Sequence, residues 1–178
     1  MQPMTPVVLL TLAFTVFPLL GGENENALMH EGVVEGPVDQ VWAAYTTKEG
    51  LESWMVAAAE IDLRVGGLMK TRYHAKGPIE DGKGIENIIL SYEPKRMISL
   101  KVTRAPTGFP FPNAITNMWT VVYFEPLDEK TTRVRSVSLG FKDDEESKKM
   151  REFFNHGNAV TLQGLQKRFS AKPTLKKD

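Results

Sequence analysis

A long amphipathic segment near the C-terminus, residues 143–169, constrains the fold more than any other part of the sequence. Apolar side chains recur along it at helical spacing and form one stripe that holds Met150, Phe153, Phe154, Val160 and Leu165. Asp143 with Glu146 three residues later matches a capping box. Lys167 and Arg168 lie at the end where the helix dipole favours cations. We therefore expect one long helix that buries a single face.

The middle of this stripe carries small residues where a packed helix normally places large ones. Gly157, Thr161 and Gly164 lie there, and each glycine costs about 1 kcal/mol relative to alanine in a helix interior. One interpretation is that these residues form the floor of a cavity. The alternative is that they let a bulky residue such as Trp119 or Phe124 approach the helix, so that the space is filled.

The chain before this helix alternates apolar and polar residues in short runs that are typical of antiparallel strands. Seven strands are predicted, with two short helices after the first. The predicted strands are residues 27–35, 59–64, 69–74, 85–92, 97–103, 116–125 and 130–141, and the short helices are residues 37–45 and 48–54. Strands grouped apart from one long helix indicate an α+β fold in which a curved sheet wraps the helix.

Two further segments provide candidates for the lining of a cavity. Residues 104–115 hold three prolines and cannot form a regular central strand. Their two aromatic residues, Phe109 and Phe111, therefore either close the end of the core or form a lid over a cavity. In the last predicted strand Ser136 and Ser138 share one face, and small hydroxyl groups among apolar neighbours suit the wall of a pocket.

The N-terminus carries an apolar run, residues 7–20, without a charged side chain. This run has the length of a signal-peptide core and is shorter than the roughly 20 residues of a membrane-spanning helix. We expect residues 1–22 to be an export signal and the mature protein to be periplasmic or secreted; an uncleaved membrane anchor is the alternative. Residues 23–170 then form a single domain, and residues 171–178 form a flexible basic tail.

The composition argues against several classes of function. Lys and Arg together number 22, Asp and Glu together number 22, and no long basic stretch occurs, so the basic surface of a nucleic-acid-binding protein is missing. The chain has no cysteine, which excludes disulfides and thiolate metal sites. His30, His74 and His156 are spread along the chain without metal-ligand spacing. We expect no cofactor, no metal, no catalytic motif and no membrane span in the mature chain.

Several short motifs, taken in order, resemble those of the START-like superfamily. They are Pro37-Val38-Asp39-Gln40-Val41-Trp42, Trp54, Ile61-Asp62-Leu63-Arg64 with Gly66-Gly67, Tyr92-Glu93-Pro94 with Arg96, and Gly140-Phe141. Within the superfamily, the sequence is most similar to the branch related to the C-terminal domain of the activator of the heat-shock-protein-ninety ATPase. The resemblance covers residues 28–169. It implies a helix-grip fold, with about seven strands around the long helix and an apolar cavity that in many members holds a lipid, sterol, polyketide or hormone-like ligand.

The pattern and the resemblance together predict a protein that binds a small apolar molecule in a cavity between the sheet and the last helix. The candidate cavity residues are Trp54, Tyr73, Phe109, Phe111, Trp119, Ser136, Ser138, Gly157, Thr161 and Gly164. One alternative is a cyclase or aromatase type of enzyme, with Tyr73, Tyr92, Thr161 and Arg168 as candidate polar residues. Another alternative is a protein-interaction module, similar to a co-chaperone, whose core is filled. An ionisable group that faces the cavity would favour the enzyme.

Overall fold

Residues 27–170, which the computed structural model describes, form seven strands, three α-helices and a short 3-10 helix. The strands are β1 (Leu28–Val34), β2 (Ala58–Ile61), β3 (Leu68–Arg72), β4 (Ile85–Glu93), β5 (Met97–Arg104), β6 (Trp119–Pro126) and β7 (Thr132–Leu139). The α-helices are α1 (Val38–Thr46), α2 (Lys48–Glu52) and α3 (Glu145–Ser170), and the 3-10 helix is Ala114–Asn117. The predicted α+β class and the order of the elements are confirmed.

The strands form one antiparallel sheet in the order β1-β7-β6-β5-β4-β3-β2, so that β1 and β2 are its edges. The β4–β5 pair is irregular at two points, where the register shifts between Glu86 and Asn87 and between Ile89 and Ser91. Such bulges bend a strand and increase the local twist. The sheet is accordingly curved and grips α3, which confirms the helix-grip fold.

The first short helix, α1, forms because Val41, Trp42 and Tyr45 recur at helical spacing, and all three are buried. Pro37 precedes its first turn, where the missing N–H of proline costs little. The rings of Trp42 and Tyr45 each lie edge-to-face against Phe124 of β6, with 5.3 Å between ring centroids. These aromatic contacts hold α1 on the sheet.

The beginning of α3 differs from the predicted capping box. The helix starts at Glu145, and its cap is Asp144 rather than Asp143, because Oδ1 of Asp144 accepts a hydrogen bond of 2.8 Å from the Ser147 amide. Two consecutive aspartates precede the helix, and the sequence pattern does not show which of them accepts a hydrogen bond from a free amide of the first turn. Glu146 does not complete the capping box, since its carboxylate binds the loop before the 3-10 helix.

The buried face of α3 is rotated relative to the predicted apolar stripe. Met150 and Leu165 are fully buried, as expected, whereas Phe153 and Val160 are 50% and 53% exposed. The inward face includes Asn158, a polar side chain that a search for apolar periodicity does not count. The prediction that Phe153 and Val160 belong to the buried stripe is therefore wrong.

The predicted start of the sixth strand at residue 116 is also wrong. Ala114–Asn117 form the 3-10 helix, and β6 begins only at Trp119. Ala114 and Ile115 are buried, and the Met118 amide donates to the carbonyl of Ile115, so packing and a local hydrogen bond favour a turn over an extended strand.

Two clusters of apolar side chains pack between the sheet and the helices. The larger cluster joins α1, α2 and the strands to the C-terminal part of α3, and it includes Val41, Trp42, Tyr45, Leu51, Ile89, Phe124 and Leu165. The smaller cluster joins β1 and the 3-10 helix to the first turns of α3, and it consists of Leu28, Ala114, Ile115, Met118, Phe141 and Met150. Each cluster is also contacted by its own set of partly buried apolar side chains.

The predicted export signal, residues 1–22, and the predicted tail, residues 171–178, lie outside the described residues. Within residues 27–170, no helix combines the length and the apolar character needed to cross a bilayer.

Candidate functional site

A cavity of about 190 Å³ lies between the curved sheet, α3 and the loop that precedes the 3-10 helix. It separates the two apolar clusters, because residues from both contribute to its wall. Most of the wall is apolar. Its polar residues are His30, Tyr45, Thr71, Tyr73, Asn87, Thr120, Ser136, Asn158 and Thr161.

Among the described residues, the wall of the cavity contains no acidic side chain and no lysine or arginine. A charged ligand would lose its hydration on entering and would gain no opposite charge in return. The cavity therefore suits a neutral molecule.

A small hydrogen-bond network centred on Ser138 supports one side of the cavity. Ser138 is 1% exposed. Its Oγ lies 3.1 Å from Oγ1 of Thr120 and accepts a hydrogen bond of 3.3 Å from Nδ2 of Asn158. Thr120 and Asn158 line the cavity, whereas Ser138 lies behind them. The network thus ties β6, β7 and α3 together at the cavity wall.

His30 of β1 is a further polar residue in the wall of the cavity. It lies opposite Ser136 in the β1–β7 ladder, and both residues line the cavity. The Nδ1 atom of His30 is buried and has no hydrogen-bond partner. Leaving a buried nitrogen unpaired costs about 1–3 kcal/mol. A partner that reaches the imidazole from the cavity would recover part of this cost.

Two tyrosines, Tyr45 and Tyr73, line the cavity. Burial raises the pKa of Tyr45 far above its ordinary value, and the proximity of Tyr73 raises it further. Burial also raises the pKa of Tyr73, although the effect is weaker because 47% of the surface of Tyr73 remains accessible. Both phenols consequently stay protonated at neutral pH, and they can donate hydrogen bonds but cannot act as bases.

The loop of residues 105–113 covers one end of the cavity through aromatic contacts with α3. The rings of Phe109 and Phe111 lie 5.6 Å apart, and they lie 6.0 and 5.7 Å from the ring of Phe153. Phe153 in turn contacts Phe154, which lines the cavity together with Phe109. Phe153 thus contacts the loop, which accounts for its outward position on α3.

A carboxylate fixes the far end of this loop. Glu146 accepts hydrogen bonds of 2.9 Å from the Asn113 amide, 3.1 Å from the Asn113 side chain and 3.1 Å from the Ala114 amide. These bonds, chiefly the one from the Ala114 amide, lower the pKa of Glu146. The first turn of α3 and the loop are therefore connected by an ionised side chain.

The structure brings four of the ten predicted cavity residues together around the cavity, namely Tyr73, Phe109, Ser136 and Thr161. Two others, Phe111 and Ser138, lie behind the wall and contact residues that form it.

The remaining four predicted residues lie away from the cavity lining. Trp119 alternates with Thr120 along β6, so its side chain lies on the opposite face of the sheet. Gly157 has open space at its Cβ position, and the Cβ position of Gly164 lies 3.7 Å from the Trp54 ring. The bulky residue that approaches a helix glycine is thus Trp54 rather than Trp119 or Phe124.

Sequence reasoning missed His30, Tyr45, Asn87 and Asn158 as lining residues. A signal existed for His30, because it lies on the same face of β1 as Leu28 and Val34, which are the buried residues of that strand. Tyr45 belongs to the buried face of α1, but burial alone does not distinguish a core residue from one that lines a cavity.

Three of the residues considered for catalysis make ordinary structural contacts. The Tyr92 hydroxyl donates to the Leu63 carbonyl at 3.4 Å, and Thr161 donates to the Gly157 carbonyl at 2.9 Å. Arg168 is exposed and donates to Ser53. Within residues 27–170, no group of three His, Asp or Glu side chains is arranged to hold a metal ion.

Comparisons with known proteins agree with this architecture. Residues 35–170 match the family described as Activator of Hsp90 ATPase homolog 1-like protein. The solved structure of the Aha1 dimer from Colwellia psychrerythraea has a TM-score of 0.62 and 17% identity, over 80% of this chain and 95% of that one. XoxI from Bacillus cereus gives 0.61 and 18%, over 80% and 94%.

A more distant similarity is that to norcoclaurine synthase from Thalictrum flavum, solved in complex with dopamine and hydroxybenzaldehyde. Its TM-score is 0.54 at 13% identity, over 79% of this chain and 84% of that one. At these identities the structural similarities show a shared fold. No curated protein sequence matches the chain.

Proposed function

The chain belongs to the family of Activator of Hsp90 ATPase homolog 1-like proteins, and from this premise we propose that it binds a small apolar molecule between the sheet and α3. The observation that carries the proposal is the cavity itself, which separates two otherwise packed clusters of apolar side chains. Burying apolar surface there contributes about 25 cal/mol per Å². The polar side formed by His30, Ser136 and Asn158 orients the ligand.

The size of the cavity limits the ligand. Pockets for drug-sized molecules measure roughly 300–1,000 Å³, whereas this cavity measures about 190 Å³. A sterol or a phospholipid chain does not fit without movement of the loop at residues 105–113. The proposal is therefore a compact ligand, on the scale of a single substituted ring.

A variant that fills the cavity tests this proposal. Thr161 lines the cavity, and its only hydrogen bond among the described residues runs to the preceding helical turn. Thr161→Met introduces a better helix former and adds side-chain volume inside the cavity. We expect it to weaken binding of the probe 1,4-dimethylbenzene at least tenfold, as measured by titration of the protein amide signals in NMR spectra.

The matched control is Gln163→Met, which places the same side chain on the exposed side of the same helix. It should bind the probe as the wild type does. Equal affinity of Thr161→Met and the wild type would show that the cavity is not the binding site. Native mass spectrometry of the gently purified protein, in which a co-purified small molecule is expected, gives a second readout.

A second candidate function is an enzyme of the cyclase or aromatase type. The observation that favours it is that titratable groups, those of His30, Tyr45 and Tyr73, face the cavity. The two tyrosines are protonated hydrogen-bond donors, so His30 is the side chain suited to accept a proton. Chemical change of the co-purified molecule, abolished in His30→Leu, would replace the binding proposal by this one.

We also propose that the protein is exported, because residues 7–20 have the length and apolar character of a signal-peptide core. N-terminal sequencing of protein recovered outside the cytoplasm would show a start near residue 23. An intact Met1 in that fraction would instead support an uncleaved membrane anchor.

A further inference from the structure

We propose that the ligand of this cavity is a neutral molecule that carries a hydroxyl group, and that His30 binds this group. The inference rests on the proposed function, since it names the class of molecule that the same cavity accepts. It is carried by the position of His30 at the cavity wall, its unpaired nitrogen, and the uncharged lining around it.

The uncharged lining favours a neutral ligand over an anion or a cation. No carboxylate, ammonium or guanidinium group belongs to the described residues around the cavity. An ionised ligand group would therefore be buried without a counter-charge, which costs far more than one hydrogen bond returns. A carboxylic acid or an amine of the same size would be excluded on this ground.

The unpaired imidazole specifies which neutral group is recognised. A neutral imidazole carries one donor nitrogen and one acceptor nitrogen. A hydroxyl group both donates and accepts, so it pairs with the imidazole in either tautomer. Nδ1 is enclosed in the present ring orientation, so the proposal includes a turn of the His30 ring about its Cβ–Cγ bond when the ligand binds. A hydroxyl group there satisfies the nitrogen that is now unpaired.

Three neighbouring polar residues already have hydrogen-bond partners and are less available for this role. Asn158 already donates to Ser138, and Thr161 already donates to the Gly157 carbonyl. Thr120 lies within hydrogen-bond distance of Ser138. His30 is the cavity residue with a buried polar atom that lacks a partner among the described residues. It is therefore the group for which a ligand hydroxyl makes the largest difference.

The test compares two probes that differ only in one group. 1,4-Dimethylbenzene and 4-methylphenol have nearly the same shape, and the second replaces a methyl group by a hydroxyl group. The dissociation constants of both are measured by NMR titration for the wild type, His30→Leu and His156→Leu. His156 is exposed on α3 and is absent from the cavity lining, so its replacement is the matched control.

We expect the ratio of the two dissociation constants to shift about tenfold toward 1,4-dimethylbenzene in His30→Leu, since the buried hydroxyl then loses its hydrogen-bond partner. The ratio should not change in His156→Leu. If His30→Leu does not fold, His30→Phe retains a ring at this position and is measured instead.

The outcomes separate the two proposals. Failure of the wild type to bind 1,4-dimethylbenzene overturns the proposed function. Binding of both probes with an unchanged ratio in the His30 variant overturns only the role of His30. Binding of 4-methylbenzoate as tightly as 4-methylphenol overturns the requirement for a neutral ligand.

Discussion

The C-terminal end and the middle of α3 meet the sheet in different ways. At the C-terminal end the contact is tight: a Cβ placed on Gly32 would lie 2.9 Å from the Gln166 side chain and 3.1 Å from Leu162. A Cβ on Gly36 would overlap the ring of Phe169. A larger residue at Gly32 or Gly36 fits only if the side chains that it meets move aside.

In the middle of α3 the contact is open. The Cβ position of Gly157 has no atom within 4 Å, and Asn158 and Thr161 face the cavity. The glycines that matter for close packing are thus those of the sheet, Gly32 and Gly36, and not those of the helix. The comparison shows that α3 approaches β1 closely at its C-terminal end, whereas Asn158 and Thr161 in its middle border the cavity.

Gly36→Ala is expected to change the stability of the protein most, and it tests the close contact at the C-terminal end of α3. The added methyl group meets the Phe169 ring, and overpacking of this kind costs about 1–3 kcal/mol. The free energy of unfolding, measured by chemical denaturation, should fall by that amount. The double variant with Phe169→Leu should recover part of the loss, and a Gly36→Ala protein as stable as the wild type would contradict the tight contact.

A smaller change in stability, of the opposite sign, is expected from a substitution in the middle of α3. Gly157→Ala adds a methyl group in free space and removes a flexible residue from a helix interior, which should stabilise the protein by roughly 0.5–1 kcal/mol. The same denaturation experiment measures it, with binding of 1,4-dimethylbenzene as a second readout that should not change. A loss of stability would mean that the space beside Gly157 is occupied.

The smallest change in stability is expected at Glu146, whose carboxylate holds the loop of residues 105–113 against the first turn of α3. Its pKa is lowered in the folded protein, so its contribution to stability is present above the unfolded pKa near 4.5 and is lost as the pH falls through the lowered value. Glu146→Gln should therefore be less stable than the wild type at pH 7, and the difference should vanish at acidic pH.

Hydrogen exchange provides the local measurement for Glu146. The amides of Asn113 and Ala114 should exchange faster in Glu146→Gln at pH 7. Comparing the variant with the wild type at each pH cancels the contributions of Asp128 and Asp143, whose pKa values are also lowered. Equal exchange rates at pH 7 would show that the carboxylate does not restrain the loop.

The elements of the fold could be predicted because each leaves a periodic pattern. The alternation along β7 places Ser136 and Ser138 on one face, and the spacing of Val41, Trp42 and Tyr45 predicts α1; the structure contains both features. The family resemblance added that about seven strands grip the long helix. Local pattern and family together were therefore sufficient for the architecture.

The cavity could be predicted only in part, because its lining depends on how α3 is rotated. Apolar periodicity placed Phe153 inward, but contacts with Phe109 and Phe111 hold it outside. Asn158 lies inward because Ser138 offers a hydrogen bond. The orientations of Phe153 and Asn158 both depend on contacts with residues that are distant in sequence. A local sequence pattern does not reveal such contacts.

The position of β1 at the edge of the sheet has a consequence for biosynthesis. β1 pairs only with β7, a strand formed about a hundred residues later, and α3 then packs on β1. Contacts between distant parts of a chain delay folding, since a long loop must close before they form. β1 therefore cannot pair in the sheet until the ribosome has synthesised β7. The complete sheet and its packing against α3 therefore form only after β7 and α3 have been synthesised.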